Sequence, residues 1–162
     1  MMQKRLKIAK RILNPNTRAL IVKIDEEMSK KEVLEYMINL VCENTDLIEN
    51  KAEFSEKIFA REELGTTGIG RAVAVPHARC EDVKDIVFSV ALLKNPISDY
   101  LTPDSENPKI VILVGAPKSK NSEYLKLLSN ISKWFRNKEN RDNIMLSKDR
   151  DELIVELLNI GE

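Results

Sequence analysis

Val33, Tyr36, Met37, Leu40 and Val41 fall at i, i+3, i+4, i+7 and i+8. That spacing lays apolar side chains along one stripe and predicts a helix. Ser29 and Glu32 make a capping box in front of it, and it ends near Asn44. A second helix is predicted over 50–62, with Phe54 and Ile58 facing inward. A third, over 121–137, carries Tyr124, Leu127, Leu128, Ile131, Trp134 and Phe135 on its apolar face. A shorter helix follows at 138–145 and a last one at 149–159. Near the start, Leu6, Ala9 and Ile12-Leu13 also recur at helical spacing. They predict a short leading helix that Asn14-Pro15-Asn16 breaks.

Between the helices the pattern changes. Residues 19–24 are rich in β-branched side chains and read as a first strand. Residues 72–75 form a short apolar run bounded by turn signals, read as a buried strand. Residues 86–93 and 109–114 are nearly continuous apolar runs, expected of strands in a sheet covered on both faces. Residues 95–108 carry three prolines and many polar positions and read as a loop. Strands alternating with helices indicate one α/β domain over 1–162, in which 1–14 is a short basic helix or tail.

Charge narrows the function classes. Lys+Arg and Asp+Glu both count 26, giving a net charge of zero. No global field favours nucleic acid or an anionic membrane. Lys4, Arg5, Lys7, Lys10 and Arg11 make the first stretch locally basic. It reads as a solvated turn, or as a dock for an acidic partner, and lacks the apolar run of a signal peptide. No stretch reaches the ~18 apolar residues that span a bilayer. Cys42 and Cys80 lie far apart without metal-ligand spacing and read as reduced thiols of a cytoplasmic protein.

The candidate chemistry sits in Thr66-Thr67-Gly68-Ile69-Gly70-Arg71-Ala72-Val73-Ala74-Val75-Pro76-His77, which ends on the only histidine of the chain. Gly68 and Gly70 allow a tight turn and close approach of backbone to a bound group, and loop N–H groups can hold an anion. Pro76 suits a strand end, so His77 is expected at the rim of a sheet, either as a structural imidazole or as a reactive one. Arg61 falls at i+7 from Phe54, on the inner side of its helix, where it either snorkels or meets an anion. The glycine stretch lacks the third glycine of a dinucleotide fingerprint and precedes a strand instead of following one. It also lacks the ending of a P-loop. One histidine and two scattered thiols give no zinc site. Cys80, three residues after His77, makes a Cys–His nucleophile pair of a hydrolase conceivable. An imidazole is a competent nucleophile toward phosphorus near neutral pH, and arginine's planar fork suits phosphoryl oxygens.

Arg61-Glu62-Glu63-Leu64-Gly65-Thr66-Thr67-Gly68-Ile69-Gly70, with Ala74-Val75-Pro76-His77-Ala78-Arg79 after it, closely resembles a known signature. It is the phosphorylation site of the enzyme IIA domains of the bacterial phosphoenolpyruvate-dependent sugar phosphotransferase system, fructose/mannitol type, including the nitrogen-regulatory branch. The order of elements over 12–158 resembles that family too. The resemblance implies a mixed β-sheet flanked by helices on both faces. It implies that His77 is phosphorylated on Nε2 by the phosphocarrier HPr and passes the group to a cysteine of an enzyme IIB domain. It implies that Arg61 stabilises the phosphohistidine and that Thr67, Gly68 and Gly70 form the loop around it, with no cofactor. A free-standing module that controls partner proteins by its phosphorylation state is the alternative role. Family members commonly carry a second histidine near the start of the third helix. Tyr124 stands there instead, a core aromatic by its stripe. Its hydroxyl can hydrogen-bond a phosphate or hold the His77 ring, but cannot supply an imidazolium.

Overall fold

The computed structural model describes residues 4–10 and 18–146. The elements run β1 (Lys4–Lys10), β2 (Arg18–Ile24), α1 (Lys30–Asn44), α2 (Lys51–Leu64), β3 (Gly68–Gly70), β4 (Val73–Ala74), β5 (His77–Arg79), β6 (Val87–Leu93), β7 (Ile110–Ala116), α3 (Asn121–Arg136) and α4 (Lys138–Leu146). The strands form one mixed sheet in the order β1-β2-β6-β7-β4-β3, with β5 also on β7. β2 runs parallel to β6, whereas β6 and β7 are antiparallel.

Every residue of β6 and β7 is buried, as the unbroken apolar runs require of strands covered on both sides. Their side chains alternate between two cores. Val87, Ala91, Val111 and Leu113 pack with α1 and α2 on one face. Phe88, Val90, Ile112 and Val114 pack with α3 and α4 on the other. The capping box of α1 is present, Glu32 N–H donating to Ser29 Oγ at 3.2 Å and Ser29 N–H to Glu32 Oε1 at 3.1 Å. Asn50 caps α2 through Glu53 N–H at 3.1 Å.

The leading helix is corrected. Lys4–Lys10 is a strand, antiparallel to β2 from Lys4↔Ile24 to Lys10↔Arg18. Leu6 and Ala9 fit helical spacing, but Leu6 and Ile8 fit strand alternation as well. Pairing with the backbone groups along β2 decides for the strand, and a lysine-rich edge is a usual way to keep such a strand from recruiting other chains. The expected break at 14–16 and the last helix at 149–159 lie outside the described residues.

The expected strand at 72–75 is β4, and a further strand not expected from the sequence, β5, follows it. β4 and β5 run parallel to β7 one after the other, Val73 pairing with Ile110 and His77 with Val114, so the register continues across the break. Pro76 has no N–H to give, but its carbonyl accepts from Val114 N–H at 3.0 Å. Val75 N–H turns the other way, to Thr67 O at 3.0 Å. β3 pairs with β4 and not with β5. Beyond Pro76 the sheet therefore ends at β5 among the described residues. His77 stands on that edge, at the start of a strand and not past the end of one.

Candidate functional site

His77 is half-buried, and its Nδ1 lies 2.6 Å from Val75 O. A carbonyl only accepts, so Nδ1 carries the hydrogen and Nε2 keeps its lone pair. Burial holds the imidazole below its ordinary pKa, the Val75 bond opposes that shift, and the Arg61 charge reinforces it. The ring is thus neutral near pH 7, with Nε2 as the nucleophilic nitrogen.

Around it opens a cleft of about 860 Å³. α2 supplies Lys57, Arg61 and Leu64, β5 supplies His77 and Arg79, and α3 supplies Tyr124, Leu125 and Leu128. Arg61 sits in the last turn of α2, where a cation suits the helix dipole. Its Nη1 donates to Gly65 O at 2.7 Å. Arg61 thus binds the helix end and lines the cleft. Tyr124 is a core aromatic that also lines the cleft. It is buried with Leu127 and Ile131 in the α3 core, and its ring tilts 55° to the His77 ring at 6.1 Å between centroids. Burial pushes its hydroxyl up to about 12, with Arg79 and then Arg61 pulling the other way.

The residue after Arg61 faces elsewhere. Glu62 Oε1 accepts from Tyr100 OH at 2.9 Å and from Thr67 Oγ1. Its Oε2 faces Lys30 Nζ at 2.9 Å. The Thr67 and Tyr100 hydroxyl oxygens also lie within hydrogen-bond distance of each other, so the two hydroxyl hydrogens are shared among the three oxygens, and the Lys30 ammonium lies 4.4 Å from the Tyr100 ring centroid. Tyr100 is 1% exposed, and burial raises its pKa far above the ordinary tyrosine range. It stays a neutral donor to the carboxylate. This ring of contacts pins the glycine loop to the end of α2.

The loop itself does not line the cleft. Gly68 N–H is taken by Thr66 Oγ1 at 3.1 Å. A Cβ on Gly68 would collide with the Leu101 carbonyl and with Thr102. Gly70, at φ 91°, sits with Asp104 Oδ2 3.0 Å from where its Cβ would be. The glycines let the β3–β4 hairpin press against the segment after Tyr100. Thr67, Gly68 and Gly70 thus lie beside His77's support, and not on the cleft wall.

Sequence reasoning missed Lys30, Tyr100 and Arg79. The first two come from other elements, and no local spacing marks them. Arg79 was visible as the residue two beyond His77, since alternate strand residues share a side. The same alternation disposes of the Cys80–His77 pair. Cys80 is fully buried on the opposite face, its donor atom within 4.8 Å of those of Glu53 and Asp82, and burial raises its thiol pKa. A buried thiol held protonated is not a nucleophile.

A family model described as "Phosphoenolpyruvate-dependent sugar phosphotransferase system, EIIA 2" matches residues 16–160. The chain belongs to this enzyme IIA family. A nitrogen regulatory protein of Bradyrhizobium diazoefficiens is 31% identical over 121 residues, covering 75% of this chain and 77% of that one. The fructose-specific EIIABC component of Bacillus subtilis is 26% identical over 139 residues, 85% of this chain but only 21% of that larger protein. Among solved structures, nitrogen regulatory protein IIA-Ntr from Neisseria meningitidis superposes with a TM-score of 0.74 at 28% identity, covering 85% and 92% of the two chains. Mannitol IIA from Escherichia coli, at 18% identity and a TM-score of 0.66, shares the fold. Enzyme IIA domains act in phosphoryl transfer, and no helix among the described residues is long and apolar enough to cross a membrane.

Proposed function

We propose that this enzyme IIA chain is a cytoplasmic phosphohistidine carrier. His77 Nε2 attacks the phosphorus of a phosphohistidine on an HPr-type donor. The new N–P bond forms as the donor's N–P bond breaks, and the group then leaves for a cysteine thiolate of an enzyme IIB domain. The observation that carries the reading is the Nδ1–H···O bond to Val75, which leaves Nε2 as the nitrogen with a lone pair. The transfer asks for positioning and for charge neutralisation on the moving oxygens, and Arg61 on the cleft wall supplies a guanidinium for that. Leu64 and Leu125, 86% and 54% exposed at the cleft, suit the transient docking of carrier proteins. A structure of Escherichia coli mannitol IIA with phosphorylated IIB offers a precedent on the same fold.

The test is intact mass after incubation with enzyme I, HPr and phosphoenolpyruvate. Wild type gains one acid-labile phosphoryl group, and His77→Ala gains none. A charged alanine variant, or an uncharged wild type beside active donors, would sink the reading. A regulatory role of the same phosphorylation is the second reading, favoured by the nitrogen regulatory relatives. It predicts a partner retained by one phosphorylation state of the immobilised protein and released by the other. Enzyme IIB as the sole partner in both states would count against it.

A further inference from the structure

We propose that Arg79 is the second guanidinium of this site and binds the phosphoryl group carried on His77. The inference rests on the phosphocarrier reading and deepens it. In β5, Ala78 is buried between a half-buried His77 and an exposed Arg79. Strand alternation puts His77 and Arg79 on one side, about 6.6 Å apart along the chain, and both line the one cleft. Two contacts from α3 hold Arg79 there. Its Nη1 donates to Asn121 Oδ1, and its guanidinium carbon lies 5.7 Å from the Tyr124 ring centroid. That ring is the one standing 6.1 Å from the imidazole. The imidazole and the Arg79 cation therefore both stand close to the Tyr124 ring.

The charges call for such a group. A phosphoryl ester carries about −1.5 to −2 near neutral pH, and a phosphoryl group on nitrogen presents the same three oxygens. Arg61 brings one positive charge, and one of its nitrogens is engaged with Gly65 O. Lys118, also on the wall, is paired with Glu81 at 3.7 Å. Arg79 is held by a neutral amide and a ring, and no carboxylate among the described residues pairs with it. Its charge is placed and not spent. Arg79 and Arg61 line the same cleft as Tyr124, and both lower the pKa of its hydroxyl against the effect of burial. In the phosphorylated state Arg79 donates N–H bonds to the non-bridging oxygens and stays protonated throughout, so no proton moves.

Phosphoramidate, a small phosphoryl donor that needs no docking surface, tests this when run beside phosphorylated HPr. Incorporation is followed by intact mass, and the phosphohistidine by its ³¹P resonance and its half-life at pH 7. A charge-assisted hydrogen bond to the moving group is worth roughly tenfold or more in rate. Arg79→Ala is therefore expected to slow phosphorylation roughly tenfold or more with both donors, to shorten the half-life and to shift the resonance. Arg79→Lys regains part of the rate, and Arg79→Gln, which keeps the length without the charge, regains none. Wild-type rates of Arg79→Ala with phosphoramidate would overturn the proposal. A loss seen only with HPr would also overturn it, making Arg79 a docking contact. Wild type inert to both donors would defeat the phosphocarrier reading itself, and this proposal with it. Arg79 is exposed, and matching circular dichroism spectra confirm that the variants fold.

Discussion

Arg61 and Glu62 are neighbours at the end of one helix and do opposite work. Arg61 lines an open cleft with a hydrogen bond to a carbonyl and no carboxylate partner among the described residues. Glu62 turns inward, where Thr67, Tyr100 and Lys30 surround its carboxylate. One holds a charge ready for a group that comes and goes. The other uses its charge to fix the loop that sets the geometry. A helix turn of 100° per residue is enough to separate chemistry from architecture, and the difference gives each residue its own measurable signature.

The largest effect expected is on the architectural side. Breaking a buried ion pair by removing one partner costs about 3–5 kcal/mol. Lys30 keeps a 24% exposed side chain, so Glu62→Ala is expected to cost somewhat less than that, about 2–3 kcal/mol, read as a fall in the urea midpoint at unchanged slope. Tyr100→Phe and Thr67→Val each leave an acceptor less satisfied, at about 1–2 kcal/mol. If Glu62→Ala lost transfer rate with no loss of stability, the division of labour would be wrong.

Arg61→Ala reverses the pattern. Stability falls by less than about 1 kcal/mol, the size of an ordinary hydrogen bond. Phosphoryl transfer to His77 falls on the order of 10- to 100-fold, measured as initial rate of mass gain, because the lost interaction is made to the moving charge. Equal losses in both quantities would place Arg61 with Glu62 as a structural residue.

Most of the fold was legible in the sequence because its elements announce themselves locally. The stripes of α1 and α3 and the solid apolar runs of β6 and β7 require only a window of residues to read. β1 was misread because Leu6, Ile8 and Ala9 satisfy two periods, and the deciding influence, the edge of β2, lies elsewhere in the chain. His77 and Arg61 were legible as an imidazole and a guanidinium flanking a glycine stretch. The glycines were assigned to the phosphate, whereas their close neighbours are Leu101, Thr102 and Asp104. Lys30 and Tyr100 could not be read at all, since they meet Glu62 only after α1 and the loop before β7 have packed.

The imidazole titration sharpens the comparison at smaller scale. Burial and Arg61 lower the folded pKa of His77, so its NMR titration midpoint is expected below the ordinary ~6.5. Arg61→Ala moves that midpoint up, toward 6.5. The linkage has a definite sign. Above the unfolded pKa both states hold a neutral ring. As the pH falls from about 6.5 toward the folded midpoint, the unfolded chain binds the proton first, so stability declines with acid through that window. His77→Ala removes this part of the slope.

The smallest effect tests the hairpin that carries the loop toward β5. Arg71 and Ala72 are its two turn residues, at φ 56° and 62°, the left-handed pair that a two-residue hairpin demands and that glycine or asparagine usually fills. Each non-glycine residue there costs about 1–2 kcal/mol. Bonds offset that cost: Arg71 N–H to Asp104 Oδ2 at 2.7 Å, and Lys109 and Ile110 N–H to Ala72 O at 2.8 and 3.1 Å. Ala72→Gly keeps these backbone bonds and relieves the strain, while adding about 0.5–1 kcal/mol of chain entropy to lose. A net gain of about 0.5–1 kcal/mol in chemical denaturation is expected, with the phosphorylation rate unchanged. A faster or slower rate would mean that the hairpin does more than hold the loop, and that the boundary between support and cleft runs through it.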